Sequence, residues 1–163
     1  MHIKFKNSEI SLKGHFPQVN DQFPELKLVN TDLTEVSSND FKGKKLVFNI
    51  FPSVDTAVCA MQLKQFSNSL KDREDVTLVF TSLDLPFAFQ RFCGAEGIDN
   101  AITASDFRYR AIEKLGVLME EGPLKNLYAR AVIVCDENLK ITYAELVDEV
   151  TNEPDYDAAM KHL

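Results

Sequence analysis

Residues 45–66, KLVFNIFPSVDTAVCAMQLKQF, join a short run of apolar residues to a longer amphipathic segment. The apolar run, KLVFNIF (45–51), has the length and continuity of a strand that is buried on both faces of a sheet. The amphipathic segment predicts a helix from about Ala57 to Leu70, because its apolar residues recur at helical spacing. A buried strand that leads directly into a helix is the repeating unit of α/β folds.

The rest of the chain continues this alternation of strands and helices. In order, the sequence predicts an N-terminal β-hairpin at 3–14, a strand at 76–83, a helix at 86–97 opened by Pro86, a short strand at 100–105, a helix at 107–117 ending near Gly116, two strands within 131–146, and a last helix at 155–163 opened by Pro154. This order indicates a three-layer α/β fold with a mixed central sheet flanked by helices. A thioredoxin-like topology fits it, and the pattern alone also allows a flavodoxin-like strand order.

The length and charge of the chain limit its architecture and its partners. A chain of 163 residues without repeats or linkers has the size of one domain, so we expect a single domain spanning 1–163. The net charge is −7 and the Lys and Arg residues are scattered, which disfavours nucleic acid as a partner. No apolar run approaches the roughly 20 residues of a membrane-spanning helix, so no membrane partner is expected.

The N-terminal segment and the cysteine count bear on the redox environment. The segment MHIKFKNSEISLKG lacks the apolar core of a secretory signal, which leads us to expect a cytoplasmic protein. Thiols are normally kept reduced in the cytoplasm, so three cysteines do not indicate a disulfide framework there. No two cysteines have the Cys-x-x-Cys spacing of a zinc site or of a redox dithiol, and neither is expected.

Cys59 stands where the predicted helix begins. With Thr56 as the N-cap, Cys59 is in the turn where unpaired backbone N–H groups and the helix dipole favour an anion such as a thiolate. Leu63, Phe66 and Leu70 follow on the same helical face, so the position equally suits a buried and inert cysteine. The helix pattern alone does not choose between a reactive thiol and a core residue.

The residues that precede Cys59 carry more information. The stretch PSVDTAVC (52–59) matches the pattern Pro-x-x-x-Thr-x-x-Cys, and through it the chain resembles the peroxiredoxin family, more narrowly its thiol peroxidase branch. The resemblance extends to SLDLPFAFQRFCGAEG (82–97), GPLKNLYARAVIVCDE (122–137) and LVDEVTNEPDYDAAM (146–160). It implies a thioredoxin-like fold with an N-terminal hairpin, and reduction of hydroperoxides without a metal, a prosthetic group or another cofactor.

The resemblance implies a role for each residue of the motif. Cys59 would be the peroxidatic cysteine, Thr56 would hydrogen-bond the thiolate and the incoming peroxide, and Pro52 would shield the sulfur from water. Arg130, in ARAVIV, would supply a guanidinium, which stays charged beside a thiolate. The structural alternative for Arg130 is an exposed salt bridge next to a strand. Ala57 stands where this branch often has glycine, and this difference changes none of the site side chains.

The resemblance also makes Cys93 the resolving cysteine, which would attack the sulfenic acid on Cys59 and close an intramolecular Cys59–Cys93 disulfide. Cys93 lies near the end of its predicted helix, where the dipole disfavours a thiolate. Two cysteines on different helices are not expected within bonding distance in a rigid fold, so we expect the first turn at Cys59, the Cys93 helix, or both to unwind. Cys135, within AVIVCDE, is expected to fill the core.

The partners follow from the resemblance as well. They would be a hydroperoxide substrate, a thioredoxin-type reductant that restores both thiols, and a second copy of the chain in a homodimer with its interface near the active-site loops. Several aromatic residues lie near the motif in the sequence: Phe48, Phe51, Phe87, Phe89 and Phe92. We expect most of them in the core and some along an apolar approach suited to alkyl hydroperoxides.

Other functions are compatible with some of the same residues. A non-enzymatic redox sensor would use the same disulfide to change a binding surface, and a one-cysteine peroxidase would leave Cys93 unused. A Cys-His protease would need a histidine from a terminal segment to reach Cys59, and it is disfavoured for that reason: the three histidines are His2, His15 and His162.

Overall fold

The computed structural model describes the whole chain, residues 1–163. Its strands are β1 (His2–Phe5), β2 (Ser8–Lys13), β3 (Lys27–Asn30), β4 (Glu35–Ser37), β5 (Lys45–Ile50), β6 (Val76–Ser82), β7 (Ile102–Ser105), β8 (Leu118–Met119), β9 (Ala131–Cys135) and β10 (Ile141–Leu146). Its α-helices are α1 (Ala57–Leu70), α2 (Pro86–Glu96) and α3 (Tyr156–Met160), and 3₁₀ turns span Ser38–Phe41 and Ala111–Leu115. None of these helices is long and apolar enough to cross a membrane.

Seven strands form the central sheet, in the order β10-β9-β5-β6-β7-β3-β4. Strands β5, β6 and β7 run parallel, and β5 and β6 are joined through α1 as the opening stretch of sequence predicts. On the other side of β5 lies β9, which runs antiparallel to it. The sheet is therefore mixed, as expected, and the antiparallel neighbour of β5 excludes a flavodoxin-like order of parallel strands.

The three α-helices contribute to one buried cluster on one face of this sheet. Leu63 and Phe66 of α1 join Phe89 of α2 and Ala159 of α3 in that cluster, together with Val47 from β5. Because side chains alternate along a strand, the neighbours of Val47 face the opposite side of the sheet. The stripe predicted for α1 is confirmed as its core-facing side.

The opposite face of the sheet is covered by the N-terminal hairpin and by loops. Ile3 and Ile10 of the hairpin pack there with Phe48 of β5 and with Ile112 and Leu115 of the second 3₁₀ turn. The hairpin also pairs with β8 and so forms a separate three-stranded sheet, β1-β2-β8. The predicted N-terminal β-hairpin is confirmed.

The helix predicted at 107–117 is wrong. That segment forms a turn followed by the 3₁₀ turn, because the buried Asp106 carboxylate accepts the backbone N–H groups of Ala111 and Ile112, both at 2.8 Å. Arg110, just before Ala111, is left-handed, with φ of 50°, and this conformation interrupts any α-helix. The Tyr128 hydroxyl also donates to Asp106, at 2.7 Å, and fixes the turn to the core.

Two further differences concern short elements. The last helix covers only part of the predicted 155–163, since it runs from Tyr156 to Met160 with the Asp155 side chain accepting the N–H of Ala158 at 3.0 Å. The sequence predictions also missed β3, β4 and β8, which have two to four residues each. Runs of this length are too short for a strand period to stand out.

Candidate active site

Cys59 is the third residue of α1, as predicted, with Thr56 as the N-cap in extended conformation. Its side chain is completely buried and packs in the same cluster as Leu63 and Phe66. The backbone N–H groups of this first turn have no helical partners, and the residue lies at the positive end of the helix dipole. Because the thiol is completely buried, a substrate can reach it only through an opening in the protein.

Arg130, the residue just before β9, contacts the sulfur of Cys59. The guanidinium Nη1 lies 3.2 Å from Cys59 Sγ and 2.9 Å from Gln62 Oε1. On its other edge, Nε and Nη2 both donate to the carbonyl of Val150, at 3.1 and 2.9 Å. Arg130 is 2% exposed and belongs to no ion pair with a carboxylate, so the alternative of an exposed salt bridge is wrong.

A buried chain of amides supports Arg130, and the sequence analysis missed it. Gln62 Oε1 accepts from Arg130, while Gln62 Nε2 donates to Asn49 Oδ1 at 2.9 Å. Asn49 Nδ2 in turn donates to the carbonyl of Val79 at 3.2 Å. Each amide is thereby oriented by its neighbour, which fixes the side of Gln62 that faces Arg130. A polar residue three positions after Cys59, on a helical face that is otherwise apolar, is the signal that could have revealed Gln62.

A cavity of about 120 Å³ opens beside Arg130 at the start of α1. Most of its lining is apolar, and it comes from the N-terminal hairpin, the α1 start and two loops: Phe5, Pro52, Thr56, Ala57, Val58, Leu124, Arg130, Val150 and Thr151. Pro52, Thr56 and Arg130 thus line one cavity, and Arg130 is the member of this group that contacts the sulfur of Cys59.

Most of the aromatic residues near the motif lie in the core, as expected, but none of them lines this cavity. Phe48, Phe51 and Phe89 are completely buried, Phe92 packs against the same core, and Phe87 is 60% exposed on the surface. The aromatic residue that lines the cavity is Phe5, from β1. It was missed because it is distant in sequence from the motif, and only the folded hairpin brings it to the site.

Thr56 lies on the rim of the cavity, but its hydroxyl donates to the Ser53 carbonyl at 3.1 Å. The hydrogen bond to the Cys59 sulfur comes from Arg130. A hydroxyl has one proton to donate, so donation from Thr56 to a peroxide or a thiolate requires it to leave Ser53.

Asp84 fixes the loop that precedes α1 and was also missed. Its carboxylate accepts the Ser53 hydroxyl at 2.8 Å and the Val54 backbone N–H at 2.7 Å. The same residue stands just before α2, so one side chain joins the approach to both cysteine-bearing helices. An exposed ion pair between Asp55 and Arg91, at 2.6 Å, makes a second link between them.

Cys93 lies in the last turns of α2, where its own carbonyl accepts the N–H groups of Gly97 and Ile98. Its side chain is half-buried, and this burial raises the pKa of the Cys93 thiol, although a hydrogen bond with Thr103 opposes the shift. Burial raises the pKa of Cys135 to about 12, which suits the core position predicted for it. All three thiols are free in this structure.

Comparisons with known proteins identify the family of this chain. The family model described as Redoxin matches residues 18–160. A thiol peroxidase of Corynebacterium glutamicum is 52% identical over 159 residues, which cover 98% of this chain and 96% of that protein. A thiol peroxidase of Vibrio cholerae is 48% identical over 164 residues, the whole of both chains.

The chain belongs to the redoxin family. It lies in the thiol peroxidase branch of the peroxiredoxins, and it is a peroxidase of that thiol-dependent type. A solved peroxiredoxin-like protein from Aquifex aeolicus has a TM-score of 0.94 at 41% identity, covering 99% of this chain and 95% of that one. A thiol peroxidase from Chromobacterium violaceum, at 22% identity, shares the fold with a TM-score of 0.91 over 99% of this chain and 94% of that one. The thioredoxin-like peroxiredoxin fold predicted from the sequence is confirmed.

The first prediction concerns the chain of buried amides that supports Arg130. Replacing Gln62 with leucine leaves the buried Asn49 Oδ1 and one N–H of Arg130 without partners, while Asn49 Nδ2 keeps its bond to the Val79 carbonyl. We expect Gln62→Leu to lower the free energy of unfolding by about 2 kcal/mol and to slow oxidation of Cys59. Urea unfolding and rapid-quench mass spectrometry measure the two effects.

The matched control is Gln65→Leu, at an exposed position of the same helix. We expect Gln65→Leu to change the free energy of unfolding by no more than about 0.5 kcal/mol. Equal effects of the two substitutions would contradict a role for the amide chain.

The raised pKa of Cys93 gives a prediction on pH. A raised pKa means less thiolate at a given pH, so alkylation of Cys93 should reach its plateau at a higher pH than alkylation of an unperturbed thiol. Iodoacetamide labelling of a Cys59→Ser/Cys135→Ser variant, compared with N-acetylcysteine, measures this midpoint. A midpoint for Cys93 below that of N-acetylcysteine would contradict the environment described for it.

Proposed function

We propose that this chain reduces hydroperoxides with Cys59 as the nucleophile, and that Cys93 then resolves the oxidised cysteine. The observation that carries the proposal is the contact between the buried Arg130 guanidinium and Cys59 Sγ, at 3.2 Å, beside a cavity that leads to solvent. A buried cation with no carboxylate partner favours a thiolate, because burial of an unpaired charge is costly.

In the first step, the Cys59 thiolate attacks one oxygen of the hydroperoxide. A sulfur–oxygen bond forms, the oxygen–oxygen bond breaks, and the leaving alkoxide or hydroxide takes a proton to become an alcohol or water. Cysteine is oxidised to sulfenic acid and the peroxide is reduced. Donors placed where the charge develops accelerate such a step, and Arg130 is the fixed donor at this position.

Pro52 and Thr56 complete the proposed site. The Pro52 ring lines the cavity and excludes water from the sulfur, because it brings no backbone N–H to the site. Thr56 donates its hydroxyl to the bound peroxide after release from Ser53. The mostly apolar wall of the cavity supports alkyl hydroperoxides as substrates beside hydrogen peroxide.

In the second step, Cys93 attacks the Cys59 sulfenic acid, water leaves, and a Cys59–Cys93 disulfide forms. Cys59 is buried in a helical turn and Cys93 packs on another helix, so one or both helices must unwind locally first. The links that must loosen include Asp84 with Ser53 and the Asp55–Arg91 ion pair.

Turnover needs an external reductant, and a thioredoxin-type dithiol fits because exchange with a disulfide regenerates both thiols. A cytoplasmic location supplies such a reductant. We further propose a homodimer with its interface near the active-site loops. Leu85 and Phe87 at the start of α2 support this arrangement, since half or more of each side chain is exposed.

Single serine substitutions of the three cysteines test the proposal in an assay coupled to NADPH, thioredoxin reductase and thioredoxin. We expect Cys59→Ser to abolish peroxide consumption and Cys93→Ser to stop recycling after one oxidation. Cys135→Ser, the matched control for loss of a buried thiol, should retain a nearly normal rate.

The outcomes separate the alternatives. A Cys93→Ser variant that turns over normally would show a one-cysteine peroxidase, and a wild type that consumes a single equivalent of peroxide would show a redox sensor. Nothing in the structure or in the comparisons favours the sensor. Running the assay with cumene hydroperoxide and with hydrogen peroxide tests the substrate class, and equal or better use of hydrogen peroxide would contradict a preference for alkyl hydroperoxides.

A further inference from the structure

The position of Arg130 depends on a backbone carbonyl in the loop between β10 and α3. Both Nε and Nη2 of Arg130 donate to the oxygen of Val150, so a shift of this carbonyl moves the guanidinium away from Cys59. Backbone hydrogen bonds hold the loop against β1: Val150 N donates to Lys4 O at 2.9 Å, and Lys4 N donates to Asp148 O at 2.7 Å. The N-terminal hairpin is therefore the support of the loop that holds Arg130.

The side chain of Glu149 fastens this loop to the tip of the hairpin. Its carboxylate accepts the backbone N–H groups of Asn7 at 2.8 Å and of Lys6 at 3.2 Å. It also accepts the N–H and the hydroxyl of Thr151, at 3.1 and 3.0 Å. Four donors from two segments far apart in sequence thus converge on one side chain.

The hairpin turn is shaped for this contact. Lys6 and Asn7 are both left-handed, with φ of 49° and 68°, as in the two-residue turns that suit tight hairpins. Their consecutive N–H groups point to the same carboxylate. Burial raises the pKa of Glu149, but the hydrogen bonds from Asn7, Thr151 and Lys6 outweigh it and leave this pKa below its usual range. The ionised form is the one that makes the contact.

The residues next to these contacts line the active-site cavity. Phe5 precedes the turn that Glu149 binds, and Val150 and Thr151 follow Glu149 directly. The Glu149 carboxylate therefore connects the segment that carries Phe5 with the segment whose carbonyl binds Arg130. None of the groups bound by Glu149 takes part in the proposed chemistry.

We propose that Glu149 is a positioning residue for peroxide reduction, which acts through Val150 and Arg130 by clamping the β10–α3 loop to the tip of the N-terminal hairpin. The inference rests on the proposed function, since it requires Arg130 to assist the attack by Cys59. It assigns the hairpin a part in catalysis in addition to its part in the core.

The size of the expected effect follows from geometry. A misplacement of about 1 Å in an active site can cost about a hundredfold in rate. The backbone bonds between Lys4 and the loop remain when the carboxylate is removed, so we expect a smaller loss, about tenfold, for Glu149→Ala. Glu149→Gln retains one acceptor oxygen and should lose less, about threefold.

A double-mutant cycle in single-cysteine protein tests the inference. In a Cys93→Ser/Cys135→Ser background only Cys59 reacts, and trapping its sulfenic acid with dimedone after rapid mixing gives the rate constant for cumene hydroperoxide and for hydrogen peroxide. The cycle compares Glu149→Ala, Arg130→Ala and the double variant. Thermal unfolding of each variant reports stability separately.

Asp32→Asn is the matched control. The Asp32 carboxylate also binds a turn, accepting the N–H and the hydroxyl of Thr34 between β3 and β4, at the opposite edge of the sheet from β9 and β10. We expect this substitution to leave the oxidation rate unchanged. A loss equal to that of Glu149→Ala would show that any loosened turn slows the enzyme, and would overturn the inference.

The cycle distinguishes positioning from general destabilisation. If Glu149 acts through Arg130, Glu149→Ala has no further effect once Arg130 is alanine; losses that multiply would overturn the inference. If Arg130→Ala slows the oxidation of Cys59 but Glu149→Ala leaves its rate unchanged, the inference is overturned and the proposed function remains intact. An unchanged rate in Arg130→Ala would overturn both. If Glu149→Ala does not fold, Glu149→Gln takes its place in the same cycle.

Discussion

The site depends on one buried positive charge. Arg130 is removed from water with no carboxylate beside it, and its partners are the Val150 carbonyl, the Gln62 amide and the Cys59 sulfur. Neutral acceptors compensate part of the cost of burying the guanidinium, and an anion compensates more. In the proposed mechanism the thiolate of Cys59 is that anion, so that the charge buried by the fold and the nucleophile of the reaction stabilise each other.

The register of the sheet places these two groups together. Ile50, the last residue of β5, pairs with Ala131, the first residue of β9. Arg130 therefore emerges beside the loop that leads from β5 into α1, and Cys59 follows in the first turn of that helix. Arg130 reaches the start of α1 because β9 is antiparallel to β5. If β9 were parallel, its first residue would lie beside the beginning of β5, at the other end of the strands. Cys59 and Arg130 are 71 positions apart in the chain, and the strand pairing closes that distance.

Periodicity and the resemblance to peroxiredoxins predicted much of the fold and the residues around Cys59. The elements β5, α1, β6 and α2 have long apolar patterns, and their positions agree with the prediction. The helix at 107–117 failed because the buried Asp106 binds backbone N–H groups that a helix would have used, a tertiary contact with no local signature. The resemblance predicted that Pro52, Thr56 and Arg130 gather near Cys59; the three line one cavity, and Arg130 contacts the sulfur.

The residues that hold the site in place were not predictable in the same way. Glu149 and Asp84 act on backbone N–H groups of distant segments, and such contacts leave no pattern in the sequence. Phe5 replaces the expected aromatic residues because the hairpin folds over the cavity from the far end of the chain. Motifs identify the groups that react, whereas the groups that position them are visible only after the chain has folded.

The most direct measurement of the central claim is the rate constant for Cys59 oxidation in Arg130→Lys. The chain has no tryptophan, so rapid-quench mass spectrometry is the suitable method. Lysine keeps the charge but cannot bind Val150, Gln62 and the sulfur in one plane, and we expect a loss of about a hundredfold, the scale of one lost transition-state donor. A rate within about threefold of the wild type would contradict the account, because charge alone, without the fixed guanidinium, would then suffice.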